Sequence, residues 1–287
     1  MRIVHAVYSP LAAAVPALVL ALLLGATAPA PAQQSPGGRP AARAAAPGIA
    51  TIDLLAAFTA GAAREAGGEA VLRGRITAAA VSASEALTAS GVRARLRLVG
   101  IGRTDVPARL DAVGDALLKA VARRGDGVAD GLPALRDRSG ADLVTVVVAG
   151  RGTAGLAHRP RRITAATSAY GYSVVAGSSL AHHSLAHELG HNLGAQHDYV
   201  TTPRAGSSAR GYFPASGAWS TLEAYESSCR RATGGPCTRI NRYSNPRQVY
   251  RGERLGTPLG GSRPADTVRA FNAVVGIVAG YRHRPGG

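Results

Sequence analysis

The chain has 287 residues, 46% of them hydrophobic and 17% charged, with 36 Gly, 17 Pro, 2 Cys and a single Met at position 1. That apolar share excludes a disordered chain, and so few cysteines exclude a disulfide-dense scaffold or a cysteine-only zinc site. The formal charge of +16 permits anionic polymers, membranes or acidic substrates as partners. There is no dense basic run of the kind that marks a nucleic-acid tail, so the charge reads as a solvated, arginine-rich surface.

Residues 1–32 read as a secretory signal peptide. Arg2 gives the positive start, Leu11 to Gly25 the apolar stretch and Ala30-Pro31-Ala32 a small-x-small cleavage site. Pro16 and the short apolar length argue against a permanent membrane anchor. Residues 33–48 form a Pro/Gly/Ala linker with nothing to bury, expected to be disordered. Residues 49–287 carry the pattern of one α/β domain.

Within it, Thr51 to Phe58 is a candidate first strand. Leu72, Ile76, Ala80, Ala83 and Leu87 keep helical spacing, and Gly91 sits where that helix stops. Arg93, Arg95 and Arg97 alternate with Ala94, Leu96 and Leu98, which predicts a half-exposed strand. Leu110 to Ala122 and Leu132 to Asp137 read as helical, and the apolar run Leu143 to Ala149 as a central strand. Val268, Phe271, Val275, Val278 and Tyr281 mark a closing amphipathic helix.

One stretch carries chemistry: His187-Glu188-Leu189-Gly190-His191-Asn192-Leu193-Gly194-Ala195-Gln196-His197-Asp198. Helical residues four apart lie on one face, about 6 Å apart along the axis, so His187 and His191 can offer imidazoles to one ion. Glu188 points beside that face, placed to take a proton from metal-bound water. Gly194 allows a sharp turn that returns His197 as a third ligand. Three imidazoles leave a fourth position open, as in a catalytic rather than a structural zinc site. Ser178 or Ser179 is a candidate N-cap, and Leu185, Leu189 and Leu193 should pack into the core.

These residues resemble the metzincin zinc signature, and Asp198 is similar to its reprolysin (adamalysin) branch. Gly140 to Val144, Gly155 to Ala157, Tyr172 to Val175, Arg239 to Pro246 and Ala265 to Arg282 resemble secreted bacterial proteins of the peptidyl-Asp metalloendopeptidase type. The resemblance implies an α/β (α+β) fold with a twisted five-stranded mixed sheet, helices, a zinc-binding active-site helix and a smaller C-terminal subdomain. The upper part would span about 49–194 and the lower about 195–287. It implies a secreted, extracellular zinc endopeptidase with one catalytic Zn2+ bound by His187, His191 and His197, and Glu188 as general base. Gly155, Leu156 and Ala157 would form the edge strand that pairs with an extended substrate, and a preference for acidic residues on the primed side follows. Arg230, Arg231, Arg239 and Arg242 are candidates for that preference, or else surface charge.

Metzincins place a methionine turn beneath the zinc. The similar segment here is Ser220 to Tyr225, with Glu223 at the methionine position. Glu223 is then a buried charge or a hydrogen-bond partner of a ligand histidine, or the correspondence is shifted. Tyr225 matches a tyrosine that approaches the metal or the oxyanion in some branches, and a core tyrosine is the plainer alternative. His182 and His183 read as helix surface and His158 as a polar residue lining the cleft. Cys229 and Cys237 flank a bending loop, and in an exported protein they predict a disulfide. Asp126 and Asp130 hint at Ca2+, but without the alternating acidic ladder they read as a solvent loop. The expected partner is a protein or peptide substrate of a monomer, with no nucleic acid. The rival class is a catalytically degenerate zinc-containing module that binds anionic cell-surface polymers through its basic face.

Overall fold

The computed structural model describes residues 48–150, 152–204 and 206–282. The stretches read as a signal peptide and, up to residue 47, as a linker lie outside them. Strand β1 (Ala50–Phe58) leads into α1 (Ala60–Ala66), α2 (Glu69–Ser90), β2 (Ala94–Arg103), α3 (Asp115–Ala120) and α4 (Leu132–Ser139). Then come β3 (Leu143–Val148), β4 (Gly155–Ala157), β5 (Tyr172–Ala176) and α5 (Ser184–Asn192). The remainder holds β6 (Trp219–Ser220), α6 (Glu226–Thr233), β7 (Thr238–Arg239), β8 (Asn245–Tyr250), β9 (Glu253–Leu255) and α7 (Thr267–Val278).

The five-stranded sheet has the order β2-β1-β3-β5-β4, parallel except for the antiparallel edge strand β4. Its inner strands are apolar on both faces because both faces are covered. On β1, Ile52, Leu54, Ala56 and Phe58 enter a core shared with α2, α5 and α7, while Leu55 and Ala57 enter a second core with α3 and α4. The period-two alternation therefore feeds two helical layers from one strand. Helix α2 packs through Leu72, Ile76, Ala80, Ala83 and Leu87, and Gly91 at φ +91° ends it, its N–H reaching the carbonyls of Leu87 and Thr88.

The helix expected over Leu110 to Ala122 is shorter than predicted. A 3-10 turn covers Ala108–Leu110, and regular helix begins only after Gly114, whose extended backbone breaks the run. The closing helix ends at Val278, and Tyr281 lies beyond it, buried, with its hydroxyl 3.0 Å from Thr167 Oγ1. After α5 three of the four strands have only two or three residues. The Cys229–Cys237 disulfide is formed there, with Cα atoms 5.9 Å apart. Among the described residues no helix is long and apolar enough to cross a membrane.

Candidate metal centre

Helix α5 starts later than the serine caps suggested. Gly177–His182 forms a 3-10 turn, and His183 stands at the N-cap with φ +59° and no side-chain cap. His183 is therefore off the helix, its Nδ1 3.2 Å from Ser82 Oγ. His182 lies on the 3-10 turn, and neither residue belongs to the histidine cluster. Leu185, Leu189 and Leu193 enter the core and fix the rotation of α5. That rotation turns His187 and His191 to the opposite side. Gly194 at φ +94° reverses the chain, and His197 comes back beside them.

The three imidazoles converge. Nε2 of His197 is 3.0 Å from Nε2 of His191 and 3.3 Å from Nε2 of His187. His187 Nδ1–H donates to the Leu222 carbonyl at 2.8 Å and His191 Nδ1–H to the Ala195 carbonyl at 2.9 Å. A carbonyl can only accept, so both rings carry their proton on Nδ1 and aim an Nε2 lone pair at the shared point. Burial holds all three imidazoles below their ordinary pKa, His197 at about 4, with His191 reinforcing the shift at His187 and His197. The lone pairs of His187 and His191 converge on Nε2 of His197, and a cation at the shared point would take all three nitrogens. Nitrogens bound at about 2 Å to one tetrahedral ion would stand about 3.3 Å apart, so the donor set fits zinc.

Glu188 is buried beside this cluster, with Oε2 free of any hydrogen-bond partner. Burial pushes its carboxyl up to about 8, with Arg239 acting in the opposite direction. Gly155 of β4 lies against it: a Cβ on Gly155 would stand 2.3 Å from Glu188 Oε1. A cavity of about 240 Å³ is lined by Gly155, Leu156, Ala157, Glu188, the three histidines and Tyr225, among others. The edge strand and the metal cluster thus face one space.

Glu223 lies under the imidazoles. Its Oε2 is 3.7 Å from His187 Nδ1 and 3.6 Å from His191 Nδ1, beyond hydrogen-bond range, and both carboxyl oxygens are buried without a hydrogen-bond partner. Burial, with Glu188 adding repulsion, pushes its carboxyl well above the usual range. Gly190 makes room for it, since a Cβ there would meet Glu223 Oε1 at 2.0 Å. Tyr225 is not a core residue: it is 37% exposed, with its ring centroid 4.2 Å from that of His197.

Residues without a predicted role also build the site. Asp198 is buried and accepts from the N–H groups of Val200, Thr201 and Tyr225, which ties the third histidine to the segment under the cluster. Asn192 Nδ2 donates to the carbonyls of His158 and Tyr172, fixing α5 to the sheet edge. Both lie inside the motif, but spacing alone marks no role for them. His158 lines a neighbouring cavity, edge-on to Tyr170 at 5.6 Å, rather than the one holding Glu188. Of the four candidate arginines, Arg230 and Arg231 are exposed on α6 and Arg242 donates to the Asn241 carbonyl. Arg239 reaches inward, its Nε buried without a partner and its charge acting on Glu188, Glu223 and Tyr225. In the Asp126 loop, Asp130 already accepts three backbone N–H groups, from Gly125, Asp126 and Gly127.

Residues 75–198 match the Metallo-peptidase family M12B Reprolysin-like. By this match and the relatives that follow, the chain is similar to reprolysin-like metallopeptidases. Over 238 residues it is 28% identical to the peptidyl-Asp metalloendopeptidase of Stenotrophomonas maltophilia (strain R551-3), covering 81% of this chain and 53% of that protein. It is 29% identical over 256 residues to the peptidyl-Asp metalloendopeptidase of Pseudomonas aeruginosa, covering 81% and 40%. The chain spans about half the length of the curated relatives it matches, or less. A solved chain described as "Structure of a chaperone-substrate complex" shares the fold at a TM-score of 0.62, with 21% identity over 82% of this chain and 39% of that one.

Proposed function

We propose that this chain is a secreted zinc endopeptidase, with His187, His191 and His197 as ligands and Glu188 as general base. The observation that carries the reading is the convergence of three imidazole nitrogens, two of them on rings whose tautomer is set by backbone carbonyls, next to a buried carboxylate that is not one of the ligands. Zinc, when bound there, polarises the scissile carbonyl and lowers the pKa of a water. Glu188 takes one proton from that water as its oxygen attacks the carbonyl carbon, and passes it to the nitrogen as the C–N bond breaks. The substrate lies extended along the free edge of β4 near Gly155 to Ala157. Residues 49–194 supply the sheet and α5, and residues 195–287 supply His197, Glu223 and Tyr225 to the other side of the site. Glu223 serves as the floor of the site in place of methionine.

The acidic preference on the primed side is assigned to Arg239, the one of the four arginines with a buried, unpartnered guanidinium nitrogen beside Glu188. Two measurements test the reading. Metal analysis and casein cleavage, with and without a zinc chelator, should show zinc and chelator-sensitive hydrolysis. Glu188→Ala should keep the zinc and lose at least a hundredfold in kcat, because the base is not a ligand. Unchanged cleavage by that variant would sink the mechanism.

A further inference from the structure

Beyond Ala157 the edge of β4 runs into Arg159, Arg161 and Arg162. Hydrogen bonds fix how this edge faces. The Ala154 carbonyl accepts from Ala176 N and His158 N donates to the Tyr172 carbonyl, so even-numbered residues turn their backbone groups inward to β5. Gly155, Ala157 and Arg159 therefore present theirs outward, and their side chains share one face. That face is the one bearing Glu188, as the close approach of Glu188 to Gly155 requires. Arg159 accordingly lines the cavity of the histidine cluster and also a second cavity of about 420 Å³ with Arg161, Arg162 and Tyr170. The two spaces meet at its side chain.

The platform is fixed at both ends. The His158 carbonyl accepts from Asn192, Ile163 is buried, and Thr164 and Thr167 cap each other reciprocally. The three guanidiniums between these anchors are exposed. No carboxylate pairs with them among the described residues, whereas Arg73, Arg97, Arg124, Arg247 and Arg282 each have one. Three uncompensated cations held on an ordered loop suit an anionic side chain delivered along the cleft.

We propose that Arg159, Arg161 and Arg162 form a subsite for Asp or Glu side chains on the N-terminal side of the bond that is cut. This rests on the peptidase reading above. A peptide pairing antiparallel with β4 passes Arg159 first and Gly155 about 13 Å later, at about 3.3 Å per residue. Its acidic residues would stand roughly two to four positions before the cut. This preference is separate from the one assigned to Arg239, which concerns the other side of the bond.

The test compares quenched peptides that differ only in carrying Glu or Gln at those positions, cut by the full chain and by Arg159→Gln/Arg161→Gln/Arg162→Gln. The expected wild-type preference for Glu is on the order of tenfold in kcat/KM, since exposed charge pairs contribute little each, and it shrinks with added salt. In the triple variant the ratio falls towards one. An unchanged ratio, or a preference that follows only acids placed after the cut, overturns the proposal. If the wild type cuts no peptide, the peptidase reading fails on its own account. Fluorescence anisotropy of the labelled Glu peptide then decides the subsite, with an on-the-order-of-tenfold affinity loss in the triple variant supporting it and equal affinity refuting it. Lost retention on heparin with peptide selectivity intact would make the patch a polyanion surface and also overturn it.

Discussion

Glu223 is the residue where local energetics and local chemistry pull apart. Its carboxyl is buried, neither oxygen has a hydrogen-bond partner, and both nearby Nδ1 protons are already given to carbonyls. A buried polar group in that state costs about 1–3 kcal/mol. Methionine has similar length and no such cost. Glu223→Met should therefore raise the melting temperature of chelator-treated protein by several degrees, at roughly 2–4 °C per kcal/mol for a domain this size. Calorimetry on the two proteins decides it. A fall in melting temperature would mean that the carboxyl makes a stabilising contact in the fold, and that the methionine position is not interchangeable. The sequence already exposed this oddity, because the chain has no methionine after residue 1. What it did not reveal is the compensation by Gly190, whose missing Cβ leaves space for the carboxyl.

At the scale of elements, legibility followed periodicity. Strand β2 and helices α2 and α7 were readable because apolar residues repeat every two or every three to four residues, and β3 because its run is apolar throughout. Strand β4 has three residues and no period, so only the family resemblance pointed to it. The start of α5 was misplaced because a serine cap was expected where the chain instead makes a 3-10 turn and reverses at His183. The region after α5 gave least away. Three of its four strands are two or three residues long, and Arg210, fully buried, donates to the carbonyls of Ser207 and Thr202, an arrangement with no sequence period. The disulfide matters most in such a region. It spans eight residues, and Cys237 N–H bonds to Gly217 just before β6 and β7 pair. Loop closure of that size is worth about 2–3 kcal/mol. Cys229→Ser/Cys237→Ser should melt lower by an amount that matches the effect of reductant on the wild type. Reductant that lowers the melting point of the double variant as well would show the bond is not the cause.

For the molecule as a whole, the high positive charge says little about fold, whereas one buried acid joins distant parts of it. Asp142, just before β3, accepts from Asp53 N of β1 at 2.8 Å through one oxygen and from Arg282 N after α7 at 3.2 Å through the other. It thus ties two neighbouring strands and the end of the described chain at one point, next to the buried guanidinium of Arg136, which donates to its backbone carbonyl. Burial pushes the Asp142 carboxyl from 3.8 up to about 6, against the pull of those two N–H groups, and Asp53 adds repulsion. The sign of the linkage follows. Between those two values the folded chain holds a proton that the unfolded chain has released, so this group's contribution falls as pH rises from about 4 to about 6 and is constant outside that window. Asp142→Asn removes the titration, whatever it does to the absolute stability. Melting temperatures of both proteins, measured under the same metal conditions so that the histidine contributions cancel, should differ by an amount that shifts against the wild type across that window and stays level above pH 7. A difference that is flat from pH 4 to 8 would show that Asp142 titrates at its ordinary value and that the junction is solvated rather than sealed.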